Sequence, residues 1–205
     1  MKNFIDIVRT DEEQEEQTKK WIRENLPIVA IGVALGLAGI WGFDYYKGWE
    51  YQQTVKARIG YLFVTNHPEE AAGLKALKIN HPDSNYTQLA TMIMAKKAVN
   101  NGDYQAAIDY LLPLENSDNV FIAKDAKFKI ASIYLEIGKS EKALSTLGSN
   151  ENKAFAALYN NLKGDIYFSK NDFDSAKKYY QLTLAALSDN SKLKNLVQIK
   201  LNDLN

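Results

Sequence analysis

The sequence predicts an all-α chain: one transmembrane helix, then a helical solenoid of about three to four helix pairs, closed by a C-terminal capping helix. Three observations lead there. The eighteen residues from Leu26 to Phe43, LPIVAIGVALGLAGIWGF, carry no charge and no strongly polar side chain. The chain is rich in Leu, Ala, Lys and Ile, holds only four prolines and lacks long alternating β-branched runs, a composition that favours helix. Tight turns recur after the span at displacements of 36 and then 33 residues, which is the mark of a repeat.

Residues 1–25 form an acidic tail. Asp6, Asp11, Glu12, Glu13, Glu15, Glu16 and Glu24 stand against Lys2, Arg9, Lys19, Lys20 and Arg23, with a small apolar patch at Phe4, Ile5, Ile7 and Val8. A segment this polar cannot build a core. Thr10 followed by Glu13 resembles a capping box, and acids followed by Lys19, Lys20 and Arg23 suit the dipole of a helix running into the span.

Residues 26–43 are the expected transmembrane helix. At about 1.5 Å per residue the run covers about 27 Å, close to the hydrocarbon thickness of a bilayer. A buried helix of a soluble domain normally keeps a polar stripe, and this stretch has none. Trp21 lies before the run and Trp41, Phe43, Tyr45, Tyr46 and Trp49 at or after its end, where amphipathic rings favour the headgroup layer. The long acidic lead-in is unlike the short basic start of a cleaved signal, so the span is expected to be retained as a signal anchor. Lys19, Lys20 and Arg23 before it, against Lys47 alone equally close after it, place the N-terminus in the cytoplasm. Gly32 and Gly36 form a GxxxG pair through which a second membrane helix can approach closely.

Residues 44–205 are left as one domain of ordinary size, exported across the membrane. From Asp44 onward there are 20 basic and 18 acidic residues, so no field strong enough to attract nucleic acid exists. There are no cysteines, which removes disulfides, thiolate metal sites and thiol catalysis. Within this part Tyr51 to Thr65 continues as helix, Asn66-His67-Pro68 turns, and Glu69-Glu70 open the next helix, with Pro68 suited to its first turn. After the breaker His81-Pro82-Asp83-Ser84-Asn85, the stretches Tyr86 to Asn100, Tyr104 to Leu112, Asp118 to Ile137, Ser140 to Leu147, Asn152 to Phe168 and Phe173 to Leu187 read as successive helices. Pro113 is expected to stop or kink the second helix of its pair.

The recurring turns are Asn101-Gly102-Asp103-Tyr104, Ile137-Gly138-Lys139-Ser140 and Lys170-Asn171-Asp172-Phe173. Small residues where paired helices would cross are Ala95 with Ala107, Ala131 with Ala143, and Gly164 with Ala176, always twelve apart. The displacements bracket the 34-residue tetratricopeptide unit. The third unit fits best, through Gly164, Tyr167, Ala176 and Tyr180, and a degenerate earlier unit starts with Gly60, Phe63 and Ala72. Lys192 to Leu204, with Leu193, Leu196, Val197, Ile199 and Leu201, supplies the cap that hides the last apolar face.

No phosphate loop, nucleophile elbow or metal motif occurs, and His67 and His81 each precede a proline in a turn without a helix-spaced carboxylate or cysteine. The chain is expected to be non-enzymatic and to need no cofactor or metal. In tetratricopeptide folds the longer first helices line a concave surface. Carried over, that geometry gives Met92, Lys96 and Val99, then Phe128, Ser132 and Leu135, then Asn161, Asp165 and Phe168 as a protein-binding groove. The lysine and asparagine set that clamps a terminal carboxylate in some such domains is absent.

An acidic tail, one span with an aromatic exit, a tetratricopeptide-like domain and the closing Val197-Gln198-Ile199-Lys200-Leu201-Asn202-Asp203-Leu204 together resemble the bacterial YfgM family, ancillary subunits of the SecYEG translocon. The resemblance covers essentially the whole chain. It implies a bacterial inner-membrane protein with its repeat domain in the periplasm, associated with SecYEG and with PpiD, a membrane-anchored peptidyl-prolyl isomerase-like chaperone. Such a protein aids the handover of newly secreted, unfolded clients. Two other readings stay open at this level: a stress-signalling regulator whose tail, residues 1–25, holds a cytosolic response regulator, and a repeat domain serving envelope assembly in another complex.

Overall fold

The computed structural model describes residues 11–149, 152–188 and 190–204, with side chains from residue 14 onward. The expected Thr10–Glu13 capping box and the apolar patch at Phe4, Ile5, Ile7 and Val8 lie outside these. The chain divides into two units, Met1–Thr54 and Val55–Asn205. Every described element is helical, as composition predicts.

In the first unit the described chain is helix α1, Asp11–Asn66, which continues into the second unit. Its apolar section is the one described helix long and apolar enough to cross a membrane, with a mean hydropathy of 2.1 over eighteen residues and no residue of that window buried. Pro27 falls inside the helix, where its ring nitrogen gives up the bond that would reach the carbonyl of Arg23. The aromatic residues at the edges are exposed: Trp21, Trp41, Tyr45 and Trp49 project outward, and the Tyr46 and Trp49 rings sit 6.2 Å apart. A Cβ added at Gly32 or Gly36 would meet nothing within 4 Å, so both glycines present bare backbone.

The second unit is a stack of helix pairs. The last turns of α1 pack on α2 (Ala71–Asn80) through Val64, Leu74 and Leu77. Helix α3 (Asn85–Asn100) pairs with α4 (Tyr104–Leu111), α5 (Val120–Glu136) with α6 (Ser140–Leu147), and α7 (Lys153–Ser169) with α8 (Phe173–Ala186), and α9 (Leu193–Asn202) follows. Four pairs and a terminal helix match the expected solenoid. Pro113 ends α4 as anticipated, but the chain goes on as a 3-10 turn, Leu112–Asn116, which buries Leu114.

The repeated turns share one backbone solution. Gly102, Gly138 and Asn171 sit at the same place in three successive pairs with φ of 77°, 71° and 60°. In each, the next amide reaches back to a carbonyl of the preceding helix: Asp103 to Ala98 at 2.9 Å, Lys139 to Tyr134 at 2.8 Å, and Asp172 to Tyr167 at 3.0 Å. This satisfies orphan carbonyls at the end of the first helix. Side-chain caps start two of the helices that follow: Asp103 accepts from the Ala106 amide at 3.0 Å and Asp172 from the Ser175 amide at 3.1 Å, while Lys139, at the start of α6, supplies none.

The expected crossing residues are buried in three pairs, Ala95 with Ala107, Ala131 with Ala143, and Gly164 with Ala176. In the earliest pair Ala72 is exposed, and the close approaches are made by glycines. A Cβ at Gly60 would come within 2.6 Å of Leu77, and one at Gly73 within 2.8 Å of Phe63. The one-residue change follows from the His67–Glu70 turn, which delays α2 until Ala71. In the last pair Gly164 is held against the Tyr180 ring, which fills the space a methyl would take. Helix α9 covers this end: Val197 is fully buried in a cluster with Ala176 and Tyr180, flanked by Tyr167, Leu184, Leu193 and Leu201.

Candidate protein-binding cleft

Helical spacing places Met92, Lys96 and Val99 on one face of α3, and Phe128, Ser132 and Leu135 on one face of α5. Between α3 and α5 the structure opens a cleft of about 460 Å³. Met92, Lys96, Val99, Phe128 and Ser132 all line it, together with Ile93, Ala95, Leu111, Lys129 and Ile133. Met92 is buried at its floor, Val99, Phe128 and Ser132 are half-buried, and Lys96 is exposed at its edge. The Ser132 hydroxyl donates to the Phe128 carbonyl at 2.9 Å. The lining carries no histidine or carboxylate to activate that hydroxyl, so the arrangement suits binding through apolar contact.

Leu135 does not line this cleft; it packs against the neighbouring cluster of Ala131, Ala143, Leu147 and Tyr159. Asn161 and Asp165 are engaged from within the chain. Lys200 of α9 lies 2.7 and 2.9 Å from the two Asp165 carboxylate oxygens and 3.3 Å from Asn161 Oδ1, while the Tyr180 hydroxyl donates to Asp165 Oδ1 at 2.7 Å. Burial, and then the hydrogen bond to Asp165 and its charge, push the Tyr180 phenol well above its ordinary value. Phe168 is exposed, its ring 5.7 Å from that of Phe173.

Aromatic residues beyond the expected set continue from Phe128 as a chain of ring contacts. Phe121 is 62% exposed and stands 6.0 Å from Phe155, whose ring meets Tyr159 edge-on at 6.0 Å; Tyr159 in turn lies 6.4 Å from Phe128. Phe121 precedes Phe128 by two helical turns, so continuing the stripe along α5 would have found it. The Tyr159 hydroxyl donates to the Lys124 carbonyl at 2.8 Å, and burial, helped by Asp125 and Glu115, raises its pKa to about 12.

His67 has no helix-spaced carboxylate, as expected, but across the Pro68 turn its Nδ1 lies 3.5 Å from Glu69, and His67, Glu69 and Glu70 gather their ligand atoms within 4.8 Å of one another. The partners come from the turn around Pro68, which a search at helical spacing does not see. All three are exposed.

Helix pairs joined by recurrent left-handed turns, an apolar cleft on the first-helix face and one helix long and apolar enough to cross a membrane ahead of them define a helical-repeat domain behind a candidate membrane span. The chain belongs to the tetratricopeptide repeat-like domain family, whose model matches residues 19–205. It is similar to curated proteins named ancillary SecYEG translocon subunit: 28% identical to that of Aggregatibacter actinomycetemcomitans and 27% to that of Haemophilus influenzae, each over 95% of this chain and 98% of the relative. The Escherichia coli relative of the same name is 23% identical over 98% of this chain and 99% of its own length. The resemblance to YfgM-type ancillary subunits, drawn from the sequence, agrees with these names. No solved structure matches the chain.

Proposed function

We propose that this protein is a non-enzymatic scaffold of the bacterial inner membrane that stands beside the SecYEG translocon and helps newly secreted proteins reach their chaperones. The observation behind this reading is the similarity, over nearly the full length of both chains, to proteins named as ancillary SecYEG translocon subunits. In this proposal residues 1–25 are a cytoplasmic tail, residues 26–43 cross the membrane once, and residues 44–205 are periplasmic, the orientation set by Lys19, Lys20 and Arg23.

The span acts by placement and, through the bare backbone at Gly32 and Gly36, by contact with a neighbouring membrane helix. The cleft between α3 and α5 takes up a protein segment, either from a PpiD-like membrane-anchored chaperone or from an unfolded client. The test is co-purification of the tagged full-length chain after gentle detergent extraction. SecYEG and a PpiD-like isomerase are expected in the eluate, and an eluate with neither defeats the proposal.

A further inference from the structure

The charges around the α3/α5 cleft are unequally met. Two lysines and no carboxylate belong to its lining. Lys129 lies 3.1 Å from Asp125, one turn back on α5, so its charge already has a partner. Lys96 is exposed, and among the described residues it makes no hydrogen bond or ion pair. It stands on the same face of α3 as Met92 and Val99, one turn from each, so a group bound over the apolar floor lies within reach of its ammonium. The Ser132 hydroxyl proton is directed to the Phe128 carbonyl, which leaves Lys96 as the uncompensated donor facing an occupant.

We propose that the cleft selects polypeptide segments that combine apolar anchor side chains with a nearby carboxylate, and that Lys96 is the specificity-determining residue. This rests on the cleft being the protein-binding site. The apolar anchors enter between Met92 and Phe128, where a cleft of about 460 Å³ accommodates a few side chains and not a folded surface. The carboxylate meets Lys96 at the rim, where partial desolvation strengthens the pair and like charge is rejected.

The test uses the full chain in detergent micelles and three short fluorescent leucine-rich peptides, identical except for one residue that is Glu, Gln or Lys. Fluorescence anisotropy at low salt is expected to show the Glu peptide binding about fivefold tighter than the Gln peptide, and the Lys peptide weakest. The advantage should shrink as salt is raised. Lys96→Ala should erase the ranking and Lys96→Glu should reverse it; both change an exposed side chain, and circular dichroism verifies that the helices persist. Ser132→Leu, which fills the cleft, should weaken all three peptides alike. A ranking unchanged by Lys96→Glu overturns the charge selection while leaving the cleft as the binding site. Binding of none of the three, or binding untouched by Ser132→Leu, overturns the cleft assignment itself.

Discussion

At Gly164 the space a methyl group would need is taken by the Tyr180 ring, whose hydroxyl is anchored to Asp165, which in turn is held by Lys200. Replacing Gly164 with Ala gains about 1 kcal/mol of helix propensity but overpacks a buried aromatic, at a cost of about 1–3 kcal/mol. The ring is fixed at both ends, so the overpacking wins. Thermal melting should show a lower Tm for Gly164→Ala, and a Tm at or above wild type contradicts the contact. Spacing alone pointed to Gly164 as a crossing residue, and the structure supplies the reason: the atoms nearest its missing methyl belong to Tyr180, sixteen residues later. Sequence spacing registers that a position must be small, whereas which side chain leans over it depends on how the two helices settle.

The same tyrosines set a pH dependence. Burial, first of all, raises both phenols above the ordinary value of 10.0, Tyr159 to about 12. A raised folded pKa favours the neutral form, so the stabilisation is fully present below the unfolded value and is lost as pH rises through the folded one. Denaturant midpoints should therefore hold below about pH 10 and fall above it. In the double variant Tyr159→Phe, Tyr180→Phe the alkaline fall should be shallower; an equal slope in both proteins rejects the assignment.

Among the elements, the recurrent turns decide where each pair folds back. Ala at Gly138, which has φ of 71°, must adopt a left-handed conformation that costs about 1–2 kcal/mol. Urea unfolding of Gly138→Ala should show that loss, and Asn at the same place should be milder, since Asn171 fills the equivalent position of the next turn. These turns were legible because Gly and Asn are what left-handed backbone requires. The start of α2 was less so: the Pro68 turn holds the chain until Ala71 and shifts the close approach to Gly73. Helix α9 was foreseen as a cover, but not that its Lys200 would engage Asn161 and Asp165, because that contact spans thirty-nine and thirty-five residues. Side-chain exposures of 27% and 26% make the Lys200–Asp165 pair a partly buried one. Lys200→Met should then cost about 1–2 kcal/mol in urea titrations, and no measurable change means that solvent screens the pair.

For the whole molecule, placement and binding separate. The span was legible because eighteen uncharged residues have few other uses in a chain, and so were five cleft residues, because the repeat period fixes which helix faces are equivalent. Replacing both Gly32 and Gly36 with leucine keeps the span apolar but removes the bare backbone. If the span recognises a membrane partner, translocon co-purification should drop in that variant; unchanged recovery leaves a plain anchor. Deleting residues 1–18, which keeps the basic cluster Lys19, Lys20 and Arg23, should leave that recovery intact if the span and not the tail holds the protein in place.

The claim that a protein segment is taken up on the first-helix face beside the translocon is tested most directly by photo-crosslinking in living cells. A crosslinking residue replaces Phe128 in the cleft or, in a second strain, Gln105, exposed on α4. The account predicts adducts from position 128 to translocon-associated or newly secreted proteins, and few from position 105. Equal adducts from both positions, or none from 128, would contradict it.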